Sequence, residues 1–281
     1  MTGEHGTTIV SCELAFAVLE PSEVVLHLMA SASAGTVTAE RFDVACNGQP
    51  TEAVELGGPH GARIQLLEAP TGRLGIHYRA EIDPERRSPL DIGEPNDPRH
   101  IEETRLIYLR PSRYCPSDHL VGFAVAEFGL GSPVSSRVAA ITEWIRERIG
   151  YVAGSSSVHD SAEHTLLTGM GTCRDFAHLG IALCRGLGIP ARFASVYAPG
   201  LTPMDFHAVF EAWVDGRWVT HDTTGLAPRQ SMVRIGTGRD AADAAFASVT
   251  RGVTTLEYVE VSAATDGLLP VDDSALAFTL P

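Results

Sequence analysis

Cys173-Arg-Asp-Phe-Ala-His-Leu-Gly-Ile-Ala-Leu-Cys-Arg-Gly-Leu187, then Ala191-Arg-Phe-Ala-Ser-Val-Tyr197, then His207-Ala-Val-Phe-Glu-Ala-Trp-Val-Asp-Gly-Arg-Trp-Val-Thr-His-Asp222 is the run that decides the fold. In its first segment Phe176, Leu179, Leu183 and Leu187 form one stripe, and Ala177, Ile181 and Cys184 form another, the spacing of a helix. Apolar residues on most sides predict a buried central helix, stopped by Gly186, Gly188 and Pro190. The next segments are strand-like, and Asp215-Gly216 is a strong two-residue hairpin signal. Helix followed by hairpin sheet predicts an α+β domain.

The chemistry-bearing residues lie at the helix start and on the hairpin. Cys173 follows the flexible Gly169-Met-Gly-Thr172, where free backbone amides and the positive end of the helix dipole favour a thiolate. The same amides could donate to an oxyanion when the sulfur attacks a carbonyl. A two-residue turn at Asp215-Gly216 sets Val214 opposite Arg217 and Val209 opposite Asp222. Asp222 is then diagonal to His207, at roughly 7–8 Å between backbone positions, and His221 points to the other face. The register selects His207 with Asp222, and a single bulge would reverse it. A nucleophile, a base and a group orienting the base form a triad by role. Taken singly, each residue has a plainer reading: Cys173 a small core hydrophobe, His207 structural, Asp222 part of a turn.

Other candidates fit chemistry less well. Cys184 lies eleven residues along the same helix, about 16 Å from Cys173, which predicts a core position and no disulfide. His178 shares no clean helix face with Cys173 and reads as structural or polar lining. His159, His164, Asp160 and Glu163 match no metal-ligand spacing. Gly236-Thr-Gly238 lacks the strand and helix context of a phosphate loop. No metal and no other cofactor is expected.

Outward from this core, residues 8–82 show short β-type segments: Thr8–Leu19, Glu23–Met29, Gly35–Val44, Ala62–Leu67 and Leu74–Ile82. Asn47-Gly48, Gly57-Gly58 and Thr71-Gly72 punctuate them, a pattern predicting an antiparallel sandwich. From about 83 to 100, Pro84, Pro89, Pro95 and Pro98 among charged residues predict a linker or long surface loop. Ser132-Pro133 predicts a helix start with Ser as N-cap, and Val134, Val138, Ile141, Ile145 and Ile149 follow at helical spacing. The expected division is a β-rich N-terminal domain (1–100) and a core (101–281) whose motifs fall at about 113–246, ending in a C-terminal tail.

Composition excludes several function classes. The 281 residues hold 35 Asp plus Glu against 21 cations, a net charge of −14, and every one of those cations is Arg. An acidic chain without a basic run predicts no nucleic-acid partner. No apolar run approaches the roughly 18 residues of a membrane span, and the first twenty residues lack a basic leader, so a cytoplasmic protein with no membrane contact is expected. Five scattered cysteines form neither a disulfide framework nor a zinc ribbon. Without lysine, crosslinking of the protein to itself through lysine is excluded.

The segment Gly171-Thr-Cys-Arg-Asp-Phe-Ala-His178, continuing to Arg192, resembles the nucleophile segment of the transglutaminase-like superfamily. Asp205-Phe-His-Ala-Val-Phe-Glu-Ala-Trp213 and Gly216-Arg-Trp-Val-Thr-His-Asp-Thr-Thr224 resemble its histidine and aspartate segments, and Arg234 to Asp243 is similar to the motif after them in bacterial members. The resemblance implies a papain-like α+β core in which Cys173 is the nucleophile, His207 the base and Asp222 its orienting group. It implies attack on a protein or peptide amide through a thioester, resolved by water or by an amine. Hydrolysis is the expected outcome; an amine-transferring crosslinker or a non-catalytic scaffold keeping the fold are the alternatives. Two features depart from the family pattern. Asp222-Thr-Thr replaces the usual Asp-Pro-Thr, and no Gln lies between Gln65 and Gln230 to serve as the side-chain oxyanion donor of papain-like enzymes.

Overall fold

The computed structural model describes residues 6–83, 103–274 and 276–281. The linker expected over 83–100 falls, beyond Asp83, outside the described residues. The strands are β1 (Thr8–Leu26), β2 (Thr36–Cys46), β3 (Gln49–Pro50), β4 (Val54–Gly57), β5 (Arg63–Ala69), β6 (Gly72–Asp83), β7 (Gly150–Tyr151), β8 (Met170–Gly171), β9 (Ala191–Tyr197), β10 (His207–Val214), β11 (Arg217–His221), β12 (Val233–Gly238) and β13 (Ala247–Thr265). The helices are α1 (Glu103–Leu106), α2 (Val121–Phe128), α3 (Val134–Arg148), α4 (Ala162–Thr168), α5 (Cys173–Gly186) and α6 (Ala241–Ala244). Among the described residues no helix is long and apolar enough to cross a membrane.

The first sheet is antiparallel, in the order β3-β2-β6-β1-β5-β4, with β13 along the other side of β1. The two segments expected at Thr8–Leu19 and Glu23–Met29 form one 19-residue strand. Register shifts between Val18 and Val24 bend it, so β6 pairs with its first part and β5 with its second. Bulges twist and turn a strand without ending it. The sheet thus folds back on itself around one core, where Val24, Leu26 and Leu67 meet Leu14, Leu74 and Ile76. β13 corrects the expected division at residue 100: the C-terminal stretch treated as a tail returns to complete the N-terminal sheet. Both of its faces are exposed over most of its length, with alternation only near Val261 and Ala263, so its pattern is too weak to read as a half-buried strand.

The second sheet, β11-β10-β9-β12, carries α5 on one face. The hairpin register is the one its turn predicts: Val214 pairs with Arg217 and Phe210 with His221, and Asp215 and Gly216 both have positive φ, as a type I′ turn requires. Ala208, Phe210 and Ala212 face α5, while α2, α3 and α4 pack on its far side. A Cβ at Gly180 would lie 2.6 Å from the buried Phe210 ring, so glycine is needed for helix and strand to come this close. α3 starts at Val134 with Pro133 at its boundary, and Ser132 does not cap it. Val138, Ile141 and Ile145 are buried as its spacing predicts.

The opposite face of the sheet buries a charge cluster. Glu211 accepts from Arg192 Nε (2.7 Å) and from Arg234 Nη2 (2.7 Å), with all three residues buried. Burial would raise the Glu211 carboxyl, but Arg234 and Arg192 overcome this and hold it at about 2. A carboxylate held below its unfolded value contributes stability that is present above about pH 4.5 and lost as pH falls toward 2. Glu211→Ala leaves two buried guanidinium groups without their anion. We expect it to lower unfolding free energy by about 3–5 kcal/mol and to flatten the acid limb of stability, both read from urea midpoints across pH.

Candidate active site

α5 begins at Cys173, and its first turn is closed by a reciprocal cap. The Asp175 carboxylate accepts from Thr172 N (2.8 Å) and Thr172 Oγ1 (3.0 Å), satisfying amides the helix start leaves free. Arg174 reaches the other way, donating to Ser156 Oγ (2.7 Å) and to the Ser157 carbonyl. It thereby ties down the 152–160 loop that forms one rim of the site. Cys173 is half-buried on the wall of a cleft of about 720 Å³. Its Sγ points to the Phe206 carbonyl at 3.9 Å, immediately before His207.

His207 is buried, and its Nε2 lies 3.1 Å from Asp222 Oδ2. That contact assigns the Nε2 proton to the carboxylate and leaves Nδ1 for the sulfur side. Nδ1 is buried with no other fixed partner, and the Cys173 thiol is the neighbouring group that acts on the ring. Burial alone would disfavour the imidazolium; the charge and hydrogen bond of Asp222, with Cys173 adding to them, raise the imidazole well above its usual value. Asp222 responds in the opposite sense. Burial penalises its carboxylate, yet His207 and Thr224 hold it below the usual range.

Asp222 is positioned from both ends. Thr224 donates its N–H and hydroxyl to Oδ1, at 2.8 and 2.7 Å, and Arg146 of α3 donates to the Asp222 carbonyl at 2.6 Å. The hydroxyl at 224 thus anchors the carboxylate through a local Asx-type turn, so the Thr in place of Pro at 223 leaves the geometry intact. Arg146 and Thr224 were not singled out from the sequence. Arg146 sits 76 residues from its partner, beyond any local pattern, whereas Asp-x-Thr is a readable turn signature.

The remaining candidates separate cleanly. His221 lies on the helix-side face, stacked on Phe210 at 5.2 Å, and burial lowers it to about 3. His178 is sandwiched between Tyr114 and Phe193 at 5.0 and 5.4 Å, and its Nε2 accepts from Ala241 N–H at 3.1 Å. It is a structural pin between α5 and α6. Cys184 is in the core. His159 and His164 are exposed, and no group of three His, Cys, Asp or Glu suited to a metal occurs among the described residues. Gly236-Thr-Gly238 lies within buried β12.

The cleft is not built by the helix and hairpin alone. His27, just after β1, and Phe246 to Val249, entering β13, form its opposite wall. Phe206 stacks on Phe246 at 5.0 Å. Tyr151 is held near the start of α5 by the parallel pairing of β7 with β8, which sets its backbone opposite Gly171, with its ring 5.9 Å from Phe176. A two-residue strand carries no periodicity, so nothing in the sequence pointed to it.

Residues 125–223 match the pattern of the transglutaminase-like superfamily, a span that contains Cys173, His207 and Asp222. Over 98% of its length, and 98% of the other chain, the protein is 34% identical to a solved structure described as a candidate cysteine protease from Cytophaga hutchinsonii, with a TM-score of 0.89. An uncharacterised protein of Mycobacterium leprae is 30% identical over 162 residues, or 54% of this chain, and the chain spans 58% of that relative's length.

Burial pushes the Cys184 thiol up to about 12 and the Cys12 thiol to about 11, leaving half-exposed Cys173 as the favoured target of alkylation. We expect iodoacetamide to label Cys173 faster than Cys184 or Cys12 and His207→Ala to slow that labelling, with sites read by peptide mass; equal rates at the three thiols would contradict the geometry. The raised His207 contributes stability that is complete below about pH 6.5 and declines as pH rises through its folded value. Asp222→Asn removes the main source of that rise, so the ring should lose its proton at lower pH in this variant. Imidazole proton shifts followed by NMR across pH read this directly.

Proposed function

The chain belongs to the transglutaminase-like superfamily, and from that premise we propose that it is a cysteine-dependent amide hydrolase of the peptidase type. In this reading the Cys173 sulfur attacks the carbonyl carbon of a protein or peptide amide. His207 takes up the thiol proton and later gives it to the leaving amine, and Asp222 fixes the ring by accepting from Nε2. Water then attacks the thioester, with His207 as base, and releases the acid. Neither a metal nor a cofactor enters this scheme.

The observation that carries the reading is the buried His207–Asp222 pair at 3.1 Å, whose free Nδ1 faces the half-exposed thiol on an open cleft. A buried imidazole and carboxylate are costly to desolvate, and a core kept only for binding has no use for the pair next to a helix-start cysteine. Hydrolysis is preferred to amine transfer because the relative that matches over 98% of this chain is described as a protease.

The test is turnover of a peptide library by the full chain, with and without an added primary amine, read by mass. We expect cleaved products in both conditions, none with Cys173→Ala, and rates lower by about 10²–10⁴ with His207→Ala, the range for loss of a general base. Products that appear only when the amine is present would replace the hydrolase reading by acyl transfer.

A further inference from the structure

The cleft holds a buried polar side chain that the reaction scheme leaves unused. His27 lies just after β1 and lines the same cleft as Cys173, with only 8% of it exposed. It is latched twice to the chain entering β13. Its backbone N–H donates to the Phe246 carbonyl at 3.1 Å, and its ring Nδ1 donates to the Ala245 carbonyl at 3.1 Å. The second bond fixes the tautomer, because a carbonyl only accepts and Nδ1 must carry the proton. Burial keeps the imidazole below its usual value, against the opposing pull of the Ala245 carbonyl and Asp243. The ring is therefore neutral, and Nε2 presents a lone pair.

Nε2 has no partner among the described residues, yet it is not sealed in the interior as Nδ1 of His178 and Nε2 of His221 are. Its access is to the cleft that the ring lines. Much of the surrounding wall is apolar, from Ala241, Ala244, Ala245, Phe193, Ile235 and Phe246. Ser195 Oγ stands beside the ring, since both lie 3.7 Å from where a Cβ on Gly236 would be. Ser195 donates to the Gly236 carbonyl at 3.4 Å, so what it leaves open is a second acceptor. The cations of the lining are engaged elsewhere. Arg174 holds Ser156, Ser157 and Asp175, and Arg113 lies over the Tyr114 ring at 5.0 Å. A rigid, neutral acceptor on an apolar wall is unfavourable until a donor from outside completes it.

We propose that His27 anchors a recognition site for a substrate side chain with an apolar body and one neutral hydrogen-bond donor at its tip, the form of tyrosine. The aromatic body packs along the alanine and phenylalanine wall, and the hydroxyl donates to His27 Nε2. The proposal rests on the cleft of Cys173 being where a peptide substrate lies, and it names the residue that peptide presents. Phenylalanine would fill the same wall but leave Nε2 without a donor. Lysine would bring a charge with no free carboxylate at the ring to meet it. Asp243 is held by Arg239 at 2.8 Å, and the Asp205 Oδ1 already accepts from Phe206 N–H at 2.7 Å. No proton changes hands at His27: the bond orients and selects, and the chemistry stays with Cys173 and His207.

The test uses the full chain carrying Cys173→Ala, so that a ligand is bound and not consumed. Two probes differ by one hydroxyl, N-acetyl-tyrosinamide and N-acetyl-phenylalaninamide. We expect the tyrosine amide to bind about three- to tenfold more tightly, the range of one neutral hydrogen bond. It should also move the His27 Nε2 resonance in nitrogen NMR, while the phenylalanine amide leaves that resonance in place. His27→Asn keeps a donor for the Ala245 carbonyl and removes Nε2. In that variant the two amides should bind within about 1.5-fold of each other, the hydrogen bond being absent for both. Equal binding of the two amides by the Cys173→Ala chain overturns the proposal. So does binding of neither, or a preference that persists in His27→Asn. Peptide turnover by the unaltered chain decides the hydrolase reading separately. Cleavage without a tyrosine preference removes only the His27 site, and a preference without any cleavage removes only the hydrolase.

Discussion

The close approach of α5 to β10 governs everything else in the core. Gly180 sits against the face of Phe210 with no room for a Cβ, so the helix axis lies nearer the sheet than side chains on both partners would permit. That approach fixes where the helix begins relative to where the strand begins. Cys173 is the first residue of one element and His207 the first residue of the other, and the thiol meets the Phe206 carbonyl across that junction. Packing density at the centre of the helix thus sets sulfur-to-imidazole geometry several residues away, because close-packed interiors transmit position with little slack.

Electrostatics then assigns different work to similar side chains. Three histidines of this core, two of them buried and His221 partly so, have opposite fates. His221 and His178 pack against rings and, among the described residues, hydrogen-bond to no carboxylate; burial drives each to about 3, in His178 against the opposing pull of Asp240 and Asp175. His207, buried like His178, is raised because Asp222 is placed 3.1 Å from it. The carboxylate is in turn kept charged inside the protein by His207 on one oxygen and by the two donors of Thr224 on the other. The ordinary rule that burial neutralises histidine is reversed by one neighbour.

Local information was enough to read this part of the molecule. Asp215-Gly216 dictates a type I′ turn, the turn dictates register, and register alone separates His207 with Asp222 from His221. The helix was equally legible from its two apolar stripes and its glycine and proline stops. What escaped were features set by distant pairing. β13 joins β1 with Thr8 opposite Thr265, and Leu256, Tyr258 and Val259, on both faces of the strand, are open to solvent, so its pattern does not resemble a buried strand. Ser132 read as a cap, yet α3 starts without a side-chain bond. Tyr151 owes its position to a pair of two-residue strands, and such pairs have no sequence signal.

The distant pairing also joins the two halves of the chain into one cleft. β13 must cross from the second sheet to the first, and as it enters it brings Phe246 to Val249 opposite Cys173. His27 reaches the same wall, with its backbone N–H bonded to the Phe246 carbonyl at 3.1 Å and its Nδ1 near the Ala245 carbonyl at 3.1 Å. Burial keeps that imidazole below its usual value, so the ring at the wall is a neutral one. The N-terminal sheet and the strand that completes it therefore contribute to the same cleft as Cys173. The net charge of −14 is not concentrated there: the wall is apolar, with Arg113 and Arg174 on one rim and Asp205 on another. The cleft thus offers mainly shape and apolar surface, the features that small-molecule and peptide pockets in general use for contact, and the acidic excess of the chain lies elsewhere.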